Sequence, residues 1–120
     1  MEALEKAVRE ASGRWIASFN AQDAAGCAAC YEPDAVMNAA PLGTFRGRAE
    51  IEAFWAKLHA DGFRDVEYIE PTLEIVDDSK AVVRAKWRMN KAHGVITKEL
   101  WVLQEDGTAR LREDEFEVLG

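Results

Sequence analysis

The apolar residues of this chain change their spacing once, near residue 63, and that change decides the fold class. Before it they recur every three or four positions. Leu4, Val8, Ala11, Trp15 and Phe19 form one stripe, and Ile51, Phe54, Trp55 and Leu58 form another. Such spacing lines one face of a helix. After residue 63 the period is two. Ala81, Val83, Ala85, Trp87 and Met89 fall on one side of an extended chain, and Val82, Arg84, Lys86, Arg88 and Asn90 on the other. Helices followed by a run of strands is the α+β pattern. With no repeat and no linker, 120 residues predict a single domain over 1–120.

Local signals subdivide the two halves. NAQD breaks the first helix, and Asp23 caps a second that runs to about Tyr31 and ends at Glu32-Pro33. AVMN reads as a short strand and APLGTFRG as an irregular loop. The third helix stops at Asp61-Gly62. A strand over about 64–76 carries Pro71, which marks a bulge or an edge. DDSK at 77–80 makes the next turn. A hairpin around Ala92-His93-Gly94 leads to VITKELWVL, and a two-residue turn at Asp106-Gly107 leads to the last strand.

Charge and cysteine content exclude several classes of partner. A net charge of −7 argues against nucleic acid and anionic membranes, both of which call for basic patches. No apolar run approaches the roughly 18 residues of a spanning helix. The start, MEALEKAVRE, is acidic and amphipathic, unlike a signal peptide, so a cytoplasmic setting is expected. Cys27 and Cys30 form CAAC, a spacing open to redox chemistry or half a zinc site. Zinc needs about four ligands, and His59 and His93 are the only histidines. The pair also lies within an alanine-rich helical run, so two small buried residues and no metal are expected.

The segment DAVMNAAPLGTFRGRAEIEAFW, residues 34–55, resembles the signature stretch of the SnoaL-like group of the nuclear transport factor 2-like superfamily. The element order is similar over nearly the whole chain. The group includes polyketide cyclases, ketosteroid isomerases, limonene epoxide hydrolases and scytalone dehydratases. The resemblance implies a cone-shaped α+β barrel, with N-terminal helices on a strongly curved, mainly antiparallel sheet. It further implies an apolar pocket for a small ligand, often a homodimer, and no metal or organic cofactor. Position by position, the isomerases' oxyanion tyrosine would fall on Trp15, and their general base on Ala39, which takes no proton. The epoxide hydrolases' tyrosine and asparagine would fall on Met37 and Ala39. Their arginine and first aspartate would lie on the strand of Ala85 and Trp87, whose inward positions are apolar. Two acidic positions survive: Glu99, where isomerases keep a second acid, and Asp114, where the epoxide hydrolases keep their last aspartate.

Strand pairing reaches the same two acids. A two-residue turn at Asp106-Gly107 pairs Val102 with Leu111, Trp101 with Arg112, Glu99 with Asp114 and Lys98 with Glu115. The inner face then holds Thr97, Glu99, Trp101 and Leu103 on one strand. On the next it holds Arg110, Arg112, Asp114, Phe116 and Val118. Lys98, Glu113 and Glu117 fall on an outer, solvated face with Arg84, Lys86 and Arg88. Trp87, Met89, Trp101 and Phe116 join Trp15, Phe19, Met37, Phe54 and Trp55 to line an aromatic pocket. Asn38, beside the lost base, either bonds a ligand carbonyl or merely ends the strand. A one-residue slip would instead turn Glu113 and Glu115 inward.

Two facing carboxyls on an apolar wall cannot both ionise cheaply, which prepares a general acid or base. Arg112 either neutralises them, orients one, or grips an anionic substrate. The expected function is therefore a cofactor-free isomerase, cyclase or lyase using Glu99 and Asp114, with Arg112 as orienter and Trp15 or Asn38 as oxyanion donor. The alternative is a binding or dimerisation module that has lost its base.

Overall fold

A computed structural model describes residues 2–120. Its elements run α1 (Glu2–Asn20), α2 (Ala24–Ala29), β1 (Tyr31–Ala40), β2 (Gly43–Arg46), α3 (Gly47–Ala60), β3 (Glu67–Asp77), β4 (Lys80–Arg88), β5 (His93–Leu103) and β6 (Ala109–Val118). The strands form one sheet in the order β2-β1-β6-β5-β4-β3, curved but open, with β2 and β3 as its edges. Only β1 and β6 run parallel. The α+β class and the strongly curved, mainly antiparallel sheet are those expected from the sequence.

The helices form where periodicity places them. Leu4, Ala7, Val8, Ala11, Trp15 and Phe19 of α1 are buried, one stripe spaced by three and four. Asp23 accepts a hydrogen bond from the Gly26 amide at 2.9 Å and caps α2. A Cβ on Gly26 would press on that capping carboxylate, which would have to turn to make room. At the start of α3, Glu50 accepts from the Arg46 amide at 2.9 Å, and Gly62 follows the helix in the left-handed region at φ +87.

Two expectations for the middle of the chain are corrected. The second helix ends at Ala29, and Tyr31, Glu32 and Pro33 already belong to β1. Proline is tolerated there because β1 and β6 lose their regular pairing between Tyr31 and Val36. APLGTFRG is not an irregular loop. Its Gly43–Arg46 portion is β2, paired antiparallel from Val36↔Arg46 to Ala39↔Gly43.

The last hairpin departs from the expected register twice. Its loop is longer than two residues, so Leu103 pairs with Ala109, Val102 with Arg110 and Trp101 with Leu111. A β-bulge at Arg112 then shifts the pairing to Leu100↔Glu113, Glu99↔Asp114 and Lys98↔Glu115. A second bulge at Thr97 shifts it back, giving Ile96↔Phe116. Each bulge reverses which side chains face inward. Ala109, Leu111 and Ile96 are therefore buried where Arg110, Arg112 and Thr97 were expected, while Glu99 and Asp114 keep their inward positions.

The Thr97 bulge has a counterpart two strands away. β3 gains one extra residue at Glu70-Pro71, with Glu70 at φ +52, opposite the β4 stretch that faces the Thr97 bulge. The concave face so produced packs against the helices and holds the main core. On the convex face Arg84, Lys86 and Arg88 pair with Glu74, Glu70 and Glu67 of the neighbouring edge strand. Lys98 reaches Glu113 at 2.7 Å. That face is the solvated one expected, and its exposed ion pairs each contribute on the order of 0–1 kcal/mol.

Candidate active site

Between the concave face and α3 lies a cavity of about 920 Å³. Its wall is aromatic: Trp15 from α1, Phe54 and Trp55 from α3, Tyr68 from β3, Trp87 from β4 and Phe116 from β6. These rings hold one another. Trp15 and Trp55 meet edge to face at 5.0 Å, and Trp55 stacks on Phe116 at 5.9 Å. Lys57, Asp61 and Lys91 mark the mouth. Lys57 reaches Asp61 at 3.2 Å, and Lys91 donates to the Asp61 carbonyl at 2.7 Å.

Glu99 and Asp114 are the two buried charged residues among those described, 3% and 4% exposed, and both line the cavity. They are direct cross-strand partners. Neither forms an ion pair among the described residues. Their partners are hydroxyls and an indole. Tyr31 donates to Asp114 Oδ2 at 2.6 Å. Tyr68 donates to Glu99 Oε2 at 2.8 Å, and Trp101 Nε1 to Glu99 Oε1 at 3.1 Å. Both oxygens of Glu99 are thus engaged, whereas Asp114 Oδ1 accepts nothing from the described residues.

Burial pushes both carboxyls up, Glu99 to about 8 and Asp114 to about 7. For Glu99 the proximity of Asp114 adds to burial, while the bonds from Tyr68 and Trp101 oppose it. For Asp114 the bond from Tyr31 opposes burial, and nearby Glu115 adds to it. As cross-strand neighbours the two titrate as a unit, both displaced upward toward neutral pH. Burial beside these acids also raises both tyrosines well above the usual phenol range.

The sequence-derived site is brought together only in part. Trp15, Phe54, Trp55, Trp87, Met89 and Phe116 line the cavity as expected. Phe19, Met37 and Trp101 are buried one layer behind it: Phe19 stacks on Trp15, Met37 lies beside the Tyr31 hydroxyl, and Trp101 supports Glu99. Asn38 is exposed, does not line the cavity, and accepts a bond from Thr44 at its wall. Arg112 is the clearest correction. The bulge turns it outward, where its Nε binds Glu32 at 2.7 Å and it approaches neither acid. Trp15 presents carbon, because its Nε1, like those of Trp55 and Trp87, is buried without a partner.

Tyr31 and Tyr68 are the residues that sequence reasoning missed. The sequence placed Tyr31 at a helix end, and Tyr68 fell in a strand whose bulge hides its face. Cys27 and Cys30 are free and buried, with the Cys27 thiol pushed up to about 12 by burial. No cluster of metal-ligating side chains occurs among the described residues.

Solved structures share this architecture. A nuclear transport factor 2-like protein of unknown function from Pseudomonas putida KT2440 aligns with a TM-score of 0.83 at 17% identity, over 98% of this chain and 87% of that one. A ketosteroid isomerase-like protein from Erwinia carotovora atroseptica SCRI1043 aligns with a TM-score of 0.80 at 15% identity, over 96% and 95%. A domain of unknown function with a cystatin-like fold from Nostoc punctiforme PCC 73102 gives 0.82 at 16% identity, over 100% and 80%. At such identities these likenesses speak for the fold. No curated protein matches the chain. The model of the SnoaL-like domain matches residues 13–113, and with that match the chain belongs to the SnoaL-like family.

Proposed function

We propose that this protein binds an apolar small molecule bearing a carbonyl or hydroxyl group and moves protons on it without a cofactor. The reaction class is that of an isomerase, cyclase or lyase. One observation carries the reading: two buried, cross-strand carboxyls with no cationic partner among the described residues line an aromatic cavity. Like charges in such surroundings keep a proton near neutral pH, the state a general acid or base requires.

Geometry divides the roles. Asp114 has the free oxygen, so it is the group that exchanges a proton with the substrate. Tyr31 fixes its other oxygen from behind. Glu99, with both oxygens held and the higher value of the pair, is the neighbour that retains its proton and leaves Asp114 free to accept one. Isomerisation, aldol cyclisation and elimination each open with removal of a proton beside a carbonyl, and the carboxyl pair supplies both the acceptor and a donor for the oxyanion.

The test is deuterium uptake from heavy water, followed by NMR, into the carbon next to the carbonyl of a panel of apolar bicyclic ketones near pH 7. Uptake that saturates with ketone and drops at least a hundredfold in Asp114→Asn supports the reading. Saturable binding with no uptake by the unaltered protein refutes it and leaves a binding module.

A further inference from the structure

The cavity offers a ligand an unusual balance of groups. Its walls present carbon, since the indole nitrogens of Trp15, Trp55 and Trp87 are closed off in packing. The Tyr68 hydroxyl is occupied by Glu99 and the Thr44 hydroxyl by Asn38. The lysines at the mouth are held by Asp61. Glu50, the remaining acid of the lining, accepts from the Arg46 amide. Beyond the exposed carboxylates of Glu50 and Asp61, what is left for a ligand is a buried acceptor, Asp114 Oδ1, beside a second buried carboxyl. Around it stand the rings of Tyr68, Trp15, Trp55, Trp87 and Phe116.

A neutral ketone satisfies this arrangement only when the pair supplies a proton. An ammonium group satisfies it directly. It donates to Asp114, supplies the positive charge that no side chain brings, and gains from nearby π-electrons. Arg112, the one residue whose sequence position suggested that charge, faces the opposite side of the sheet and is held by Glu32. We infer that the cavity takes an organic cation, a protonated amine on an apolar body, with its nitrogen at Asp114 Oδ1 and its hydrocarbon among the tryptophans. This rests on the cavity being a ligand site, as in the proposed function, and not on turnover. Where the pair carries a proton, the ammonium takes its place and that proton leaves to the buffer.

The matched probes are 2-aminotetralin and 2-tetralone, one ring system carrying an ammonium or a carbonyl, titrated by calorimetry at pH 7.5 in phosphate and in Tris. The expected result is amine binding at least tenfold tighter than ketone. The difference between the two buffers should report proton release. Asp114→Asn should bring the two affinities within threefold of each other. Glu99→Gln, in which Asp114 retains its acid, should lower the preference, and it serves if Asp114→Asn fails to fold. Ketone binding as tight as amine binding overturns this inference and leaves the acid–base reading standing. An amine preference that survives in Asp114→Asn overturns it as well. Failure of both probes to bind overturns this inference together with the reading of the cavity as a ligand site.

Discussion

Stability should fall, not rise, as the solution goes from mildly acid to mildly basic. Glu99 moves from an ordinary 4.5 to about 8 on folding, and Asp114 from 3.8 to about 7. Both values are raised, so the protonated forms belong to the folded state. Their contribution is complete below about pH 4 and is lost as pH rises through about 7 and 8. At about 1.4 kcal/mol per pH unit, each shift corresponds to roughly 5 kcal/mol, and coupling makes the pair worth less than twice that. Between pH 5.5 and 8.5 the two shifts span about 2.5 and 1.5 pH units, an upper bound of roughly 5 kcal/mol that coupling reduces to on the order of 3 kcal/mol. Glu32, Asp77 and Asp106, whose carboxyls are held low by hydrogen bonds, stay ionised throughout that window. His59, lowered by burial, works weakly in the opposite sense below about pH 6.5, equally in every variant compared. The assay is urea unfolding at the two pH values for the unaltered protein and for a Glu99→Gln, Asp114→Asn double variant. The unaltered protein should lose about 3 kcal/mol at similar m-value, and the double variant less than about 1 kcal/mol. The double variant should also be the more stable of the two at pH 8.5. A stability that is level or increasing between pH 5.5 and 8.5 in the unaltered protein would refute the buried acid pair.

Three further substitutions separate the roles drawn above. Tyr31→Phe removes the hydroxyl that holds Asp114 Oδ2 and should cost about 1–3 kcal/mol in unfolding, with the carboxyl titration of Asp114 moving upward by NMR. Arg112→Ala breaks only an exposed bridge to Glu32; unfolding should change by less than about 1 kcal/mol and ligand affinity by less than twofold in calorimetry. Gly94→Ala places a Cβ against the Glu117 carbonyl and the Trp87 ring, so the thermal midpoint should drop steeply and any soluble protein should lose ligand binding.

The fold was legible because both periods are strong and the elements are long. The helical stripes of α1 and α3 and the alternation of β4 admit one reading each. The cross-strand pairing of Glu99 with Asp114 was also reached from sequence, though by an incomplete route. A uniform register was assumed, whereas the actual hairpin has a longer loop and two bulges of opposite sense. Bulges carry no reliable sequence mark outside glycine and proline, so the reversal at Arg112 and Thr97 was invisible, and with it the outward turn of Arg112. Pro71 was such a mark, and there the bulge was anticipated. Tyr31 was lost for a different reason: Pro33 reads as a helix stop, and only pairing with β6 identifies its neighbourhood as strand.

The bulges at Arg112 and Thr97 have a consequence for redesign. They insert one residue into each of two neighbouring strands, on either side of the acid pair. Deleting both residues would leave one unbroken ladder, with Trp101 opposite Leu111, Glu99 opposite Asp114 and Ile96 opposite Phe116, and every inward side chain still inward. What would go is the local bend that the surplus residues force on the sheet. The curvature of this vessel is therefore written partly in two residues that never touch its contents, and its capacity can be tuned while the chemistry inside stays in register.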